Sequence, residues 1–257
     1  ELSPEPVAQG AFGAVHRGTV RRSGTPVAIK VLLSGRAAEA EARDRFEREA
    51  ECLAMLAEGD PADVVPYYDH GLSGDRAWLV VGWAGDGTLH DALDGARGPW
   101  SVRAVGPWLV QALRALEAVH AAGIVHRDVK PSNLLLHGAG PGHEPRPRVW
   151  LADFGIALLT ERTRLTHMGR PSPGSPAFAA PEQFGGPLAP QGPGTDLYSW
   201  GKVAFRFLTG VLPAPVQRRP REVVPDLPEA WDEAIGRCLA LRLADRPTGA
   251  GEVLGLL

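Results

Sequence analysis

The sequence predicts an α+β chain of two lobes: a small strand-rich lobe carrying one helix, then a larger and mainly helical one. Three observations predict it. Runs rich in β-branched residues fill the first 81 positions around a single helix-like stretch. A glycine-rich break, Gly82-Trp83-Ala84-Gly85-Asp86-Gly87, follows the last run, and long amphipathic patterns dominate beyond it. A chain of 257 residues is long enough for one large domain or two lobes sharing a cleft, and the glycine-rich break favours the second, with boundaries expected at 1–81, 82–87 (a hinge) and 88–257.

The elements follow in order. Val7 to Val15 carries Gly10 and Gly13 between strand-like flanks, which suits a hairpin whose backbone comes close to something else. Glycine lets N–H groups approach phosphate oxygens, although such a stretch is equally a flexible turn. Residues 25–33 read as a strand with one lysine inside it, Lys30, either at a solvent face or held by an anion. Residues 38–57 read as a helix with Phe46, Ala50, Leu53, Met55 and Leu56 on its apolar side and Glu49 beside that side. This predicts a Lys30–Glu49 pair across a strand–helix contact. Residues 64–71 and 77–81 are two more strands around a Ser73-Gly74-Asp75 turn, and a short helix follows at 88–93.

Residues 107–122 form a strong amphipathic pattern, with Pro107 in the first turn, where its missing N–H costs nothing, and Gly123 as the stop. Residues 134–136 and 149–152 read as a strand hairpin, and the intervening 137–148 is too rich in Gly and Pro for regular structure. Residues 196–210, apolar around most of the circumference, are expected to form a central helix, and 231–243 the last substantial one. Residues 252–257 are too short to assign.

Composition narrows the function classes. Hydrophobic residues at 44% and charged residues at 22% are ordinary for a globular protein. A net charge of -3 without a sustained basic run argues against a nucleic-acid binder. No uninterrupted apolar stretch reaches ~18 residues, so no membrane segment is predicted. Position 1 is Glu and no signal-like segment follows, so the expectation is a cytoplasmic domain cut from a longer protein. Cys52 and Cys238, far apart in apolar surroundings, are predicted to be buried small hydrophobes.

The chemistry concentrates in His126-Arg127-Asp128-Val129-Lys130-Pro131-Ser132-Asn133. Asp128 can accept a proton, Lys130 can steady negative oxygens, and Asn133 can ligate a divalent metal, the layout that phosphoryl transfer to a hydroxyl requires. A charged loop of this kind can also be merely solvated. Asp153-Phe154-Gly155, at a strand end, can hold a metal or be a plain turn. Residues 160–175 are polar, carry Arg162, Arg164 and Arg170, and offer several hydroxyls.

Taken in order, the glycine loop, Val27-Ala28-Ile29-Lys30, Glu49, His126-Arg127-Asp128 with Asn133, Asp153-Phe154-Gly155 and Ala180-Pro181-Glu182 resemble the Ser/Thr protein kinase family of the bacterial Hanks type, over essentially the whole chain. The resemblance implies a bilobal kinase fold and ATP-dependent phosphorylation of Ser/Thr hydroxyls on a protein substrate, with Mg²⁺ or Mn²⁺ as metal. By it, Gly10 and Gly13 cover the ATP phosphates, Val15 and Ala28 lie above the adenine, Leu135 lies below, and Val7 joins the nucleotide-binding positions. Lys30 holds the α- and β-phosphates and Glu49 orients it. Backbone groups of Gly82 and Ala84 pair with the adenine edge behind a small gatekeeper, Val81. Asp128 accepts or orients the hydroxyl proton, Lys130 contacts the transferring phosphate, and Asn133 and Asp153 hold the metal. Ser175 bridges Asp128 and Lys130, Glu182 pairs with Arg246, and Asp196 braces the catalytic-loop backbone. Arg127 receives a phosphorylated residue of the activation loop, with Thr163 and Thr166 the leading acceptors and Thr160 and Ser172 behind them.

Three departures stand out. Ala8 replaces the first loop glycine, and Gly82 replaces the usual hinge glutamate. After the helix at 196–210 the family carries a docking helix, but here that interval holds Pro213, Pro215, Pro220, Pro225 and Pro228. An interior proline costs a helix ~3 kcal/mol or more, so at most one turn is expected, at residues 216–219. Two other functions compete with an active kinase: a pseudokinase or ATP-gated binding module, and a small-molecule phosphotransferase. The first should lack Lys30, Asp128 or Asp153, and the second Ala180-Pro181-Glu182; all are present.

Overall fold

The period-2 alternation of β3 (Pro26–Leu32) sets the geometry of the first lobe: Val27, Ile29 and Val31 share one face and Ala28, Lys30 and Leu32 the other, with Val27 and Leu32 buried. The structure, a computed structural model, describes residues 3–10, 13–32, 40–73, 76–95, 98–138, 147–154, 158–159, 177–185, 189–213 and 218–257. Around β3 lie β1 (Ala8–Gly10), β2 (Gly13–Thr19), β4 (Tyr67–Ser73) and β5 (Arg76–Gly82). Together they form one antiparallel sheet in the order β1-β2-β3-β5-β4. The register sets Val15 opposite Lys30 and Ala28 opposite Val81, so these four side chains share one face. Helix α1 (Ala40–Ala57) buries Phe46, Ala50, Leu53 and Leu56, with Glu49 on the edge of that stripe.

The second lobe begins with α2 (Leu89–Asp94), whose entry is fixed by a capping box: Thr88 Oγ1 accepts from the Asp91 N–H and Asp91 Oδ2 from the Thr88 N–H. Helix α3 (Val102–Ala121) starts five residues before the predicted 107, so Pro107 lies inside the helix. Its apolar stripe extends back to Val105, which is fully buried, and the packing gained outweighs one absent hydrogen bond. Helix α4 (Pro193–Thr209) runs through the centre, with Trp200, Val203, Ala204 and Phe207 fully buried, Trp200 Nε1 donating to Leu109 O at 3.0 Å, and Gly210 (φ 78°) ending it. Helix α5 (Glu229–Cys238) ends well short of the predicted 243; a separate 3₁₀ turn follows at Leu243–Asp245, and α6 (Ala250–Leu254) comes last. Short strand pairs β6 (Ile124–Val125) with β9 (Leu158–Leu159) and β7 (Leu134–His137) with β8 (Arg148–Leu151) carry the loops of the cleft.

Between α4 and α5 the described residues contain a single 3₁₀ turn, at Pro220–Glu222. The turn expected at 216–219 falls partly outside the described residues; the one observed starts at Pro220, where proline suits a first helical position. Cys52 and Cys238 are both buried and unpaired, and burial pushes the Cys52 thiol up to about 12.

Candidate active site

Two carboxylates and a lysine meet where the lobes face each other. Lys30 Nζ donates to Glu49 Oε2 at 2.5 Å and lies 3.8 Å from Asp153 Oδ1. Burial pulls the Lys30 ammonium down, but the Glu49 and Asp153 carboxylates outweigh it and the net direction is upward. Asp153 itself adopts φ 67°, the left-handed region that a non-glycine residue enters at a cost, directly after β8 and Ala152. The next residue, Phe154, is fully buried and meets the His126 ring edge-on at 4.7 Å between centroids.

The loop at residues 126–133 is fixed by Asp196. Asp196, wholly buried at the start of α4, accepts from the His126 N–H (2.8 Å) and the Arg127 N–H (2.7 Å), and from His120 at the end of α3 (2.8 Å). Three hydrogen bonds to one carboxylate offset much of its desolvation. His126 accepts from the Asp128 N–H through Nδ1 and faces Ala152 O through Nε2, which sets the Nε2–H tautomer. Within the loop Lys130 Nζ donates to Asp128 Oδ2 at 2.5 Å, and Asn133 Nδ2 donates to Asp128 O (2.8 Å) and Oδ2 (3.2 Å). With its nitrogen turned into the loop, Asn133 presents its amide oxygen as the remaining acceptor. That oxygen and the half-exposed Asp153 carboxylate form an all-oxygen donor pair, which suits a hard divalent cation completed by substrate phosphates. Among the described residues no cluster of three or more His, Cys, Asp or Glu offers a self-sufficient metal site.

The residues expected to meet a nucleotide are distributed over the first sheet and β7. Val15, Ala28 and Val81 lie on the sheet face shared with Lys30, and Leu135 is half-buried on β7. Val7 is half-exposed just before β1, its N–H on Val15 O. Gly10 pairs with Gly13 at the end of the first hairpin. A Cβ at Gly13 would collide with the Val31 carbonyl, so close strand packing alone requires glycine there. Gly82 donates to Pro66 O at 2.8 Å, and among the described residues the Ala84 N–H has no partner, which leaves an open donor at the hinge. An adenine edge fits such a donor.

Glu182 forms a two-pronged ion pair with Arg246 at 2.8 and 2.9 Å and also accepts from Thr195 Oγ1. Several residues went unread in the sequence. His120 completes the Asp196 brace. Gln183 donates to Arg127 O and accepts from the Ala180 N–H, which ties the segment after Ala180-Pro181-Glu182 to the catalytic loop. The Arg127 guanidinium is held below its ordinary value first by burial and then by the charge of Arg48, the residue before Glu49. Adjacency to an assigned residue was the available signal in the last two cases. Gly155, Thr160, Thr163, Thr166, Ser172 and Ser175 lie outside the described residues.

Comparison with known proteins agrees with this geometry. The family described as "Protein kinase domain" matches residues 4–246. Serine/threonine-protein kinase pkn2 of Myxococcus xanthus is 37% identical over 210 residues, covering 81% of this chain and 24% of its own. Serine/threonine-protein kinase PknL of Mycobacterium tuberculosis is 34% identical over 254 residues (93% of this chain, 60% of its own). Serine/threonine-protein kinase PknA of the same species is 33% identical over 258 residues (95% and 57%). The chain therefore spans 24% to 60% of the length of these relatives. With a match this extensive, the chain belongs to the protein kinase domain family.

Proposed function

We propose that this chain is the catalytic domain of a protein serine/threonine kinase, transferring the γ-phosphoryl group of ATP to a protein hydroxyl. The observation that carries this reading is the placement of Lys30 Nζ between Glu49 and Asp153, across the cleft from the Asp128–Lys130–Asn133 loop. Lys30, kept cationic by its two carboxylates, binds the α- and β-phosphates, and Glu49 fixes its direction. Val7, Gly10, Gly13, Val15, Ala28, Val81 and Leu135 enclose the nucleotide, while the Gly82 carbonyl and Ala84 N–H meet the adenine edge. Residues 82–87 act as the hinge between the lobes. Asn133 and Asp153 hold Mg²⁺, which when bound neutralises charge on the transferring phosphate. Asp128, oriented by Asn133 and Lys130, takes the hydroxyl proton, and Lys130 then faces the transferring phosphate. Arg127, beside Asp128 and under the positive field of Arg48, suits a phosphate on Thr163 or Thr166. No described helix is long and apolar enough to cross a membrane.

Labelled ATP with Mg²⁺, given to the protein alone and with a protein acceptor, tests this reading. Asp128→Asn is expected to lower turnover roughly 10²–10⁴-fold with nucleotide affinity unchanged, and Lys30→Ala to remove phosphorylation. Unchanged turnover in Asp128→Asn would remove the assignment. Mass spectrometry that found phosphate only outside residues 158–175 would remove the two threonines.

A further inference from the structure

The departure at the hinge has a physical counterpart in the other lobe. A Cβ built on Gly82 would lie 2.9 Å from Pro66 Cδ and 3.0 and 3.1 Å from Cζ3 and Cη2 of Trp150. The Pro66 contact is closer than side-chain carbons come and the two indole contacts are tighter than most, so any residue larger than glycine at 82 would need Pro66 and the Trp150 indole to give way by a few tenths of an ångström. Trp150 stands opposite Leu135 in the β7–β8 register, on the face of that hairpin expected to floor the adenine. Its far side is closed by His137, whose ring stacks on the indole at 3.6 Å between centroids and 16° between planes.

The backbone on either side of Trp150 is anchored. Leu151, its neighbour, donates to Asp63 O (2.9 Å) and accepts from the Val65 N–H (3.0 Å), and Arg148 Nη2 donates to Asp63 Oδ1 (3.0 Å). The segment 63–66 is thereby tied to β8, and Pro66 O in turn receives the Gly82 N–H. His137, Trp150, Gly82 and Pro66 thus form a closed column running from the lower hairpin to the hinge backbone.

We propose that Trp150 is a positioning residue for the nucleotide: it fills the place of a hinge side chain and sets the height of the Gly82 carbonyl and the Ala84 N–H over Leu135. The glycine at 82 and the tryptophan at 150 are then one device, and neither should be exchangeable alone. This inference rests on the kinase reading, because it assumes that adenine sits between the hinge and Leu135.

A double-mutant cycle on nucleotide affinity tests it, with Gly82→Ala, Trp150→Ala and the pair measured by calorimetric titration with Mg·ATP and by steady-state kinetics. Overpacking at Gly82 is expected to weaken Mg·ATP binding about tenfold, raising KM for ATP while kcat stays close to wild type. In the Trp150→Ala background the same substitution should cost less than about threefold. A purely structural contact would lower Tm without this split between KM and kcat. If Trp150→Ala does not fold, Trp150→Leu and Trp150→Phe keep apolar volume and run the same cycle. Additive effects, or a Gly82→Ala protein with unchanged Mg·ATP affinity, would overturn the coupling while leaving the kinase reading intact. A wild-type protein that bound no Mg·ATP would overturn the proposed function, and this inference with it.

Discussion

Two ion pairs, one in each lobe, are built on opposite principles. Arg246 uses all five of its N–H donors: Nε on Ala240 O, Nη1 on Glu182 Oε1 and Gly194 O, and Nη2 on Glu182 Oε2 and Leu241 O. Its side chain is 0% exposed and stacks over the Tyr198 ring at 4.6 Å. Lys30, with three donors, makes one short bond to Glu49 and a longer approach to Asp153, and a third of its side chain remains exposed. A saturated pair has nothing left to give a ligand, whereas an unsaturated one keeps positive charge available to an incoming anion. The difference separates architecture from chemistry more sharply than burial or distance alone.

The contrast is most exposed to failure at Arg246. Arg246→Ala leaves Glu182 buried without its partner and several carbonyls without donors, and should cost about 3–5 kcal/mol of stability. Denaturant titration reads this directly. Activity per folded molecule should change far less. A loss below about 1 kcal/mol, as exposed pairs give, would show that saturation is not what makes this pair structural.

Glu49→Gln should invert the profile. A neutral amide keeps the volume but no longer directs Lys30, and misplacement of a phosphate-binding group by about 1 Å can cost on the order of 10²-fold. We expect kcat/KM to fall by that order, with a smaller stability loss than Arg246→Ala because Asp153 still faces Lys30 at 3.8 Å. Equal stability losses in the two variants, with near-normal activity in Glu49→Gln, would erase the distinction.

Much of this was legible in the sequence, for identifiable reasons. The Lys30–Glu49 contact is legible because a lysine inside a strand needs an anion and Glu49 lies beside the helix's apolar stripe. Asp128, Asn133 and Asp153 are singled out because phosphoryl transfer restricts which side chains can serve and in what order. The hairpin β7–β8 and the central helix α4 were found because burial imposes its period on apolar residues. The start of α3 was missed because Pro107 reads as a first-turn residue, and tertiary packing on Val105 overrode that local preference. Gly82 was noticed as a departure, but its cause was hidden, since Trp150 reaches it only through the fold. The saturation of Arg246 was equally hidden, because three of its partners are backbone carbonyls that carry no sequence signal.

The smallest expected effect separates the two pairs by pH. For Glu182, burial pushes the carboxyl up, but hydrogen bonds from Arg246, the backbone and Thr195 outweigh it, and the net direction is below the ordinary 4.5. A carboxylate depressed in the folded state contributes stability that is present above its unfolded value and is lost as pH falls through its folded one. The stability gap between wild type and Glu182→Gln should therefore hold steady from neutral pH down to about 4.5 and close below it. Lys30 has the opposite sign: its folded value is raised above 10.5, so its contribution is present below 10.5 and is lost as pH rises through the folded value. A Lys30→Met gap should thus close in alkali, and on the acid side it should change only as Glu49, whose carboxyl is pushed up by burial, takes its proton. Denaturation midpoints of both variants against wild type across the pH range provide the measurement. A Glu182 gap that persisted unchanged into strong acid would mean that the carboxylate's charge contributes nothing there, leaving shape and packing to hold Arg246.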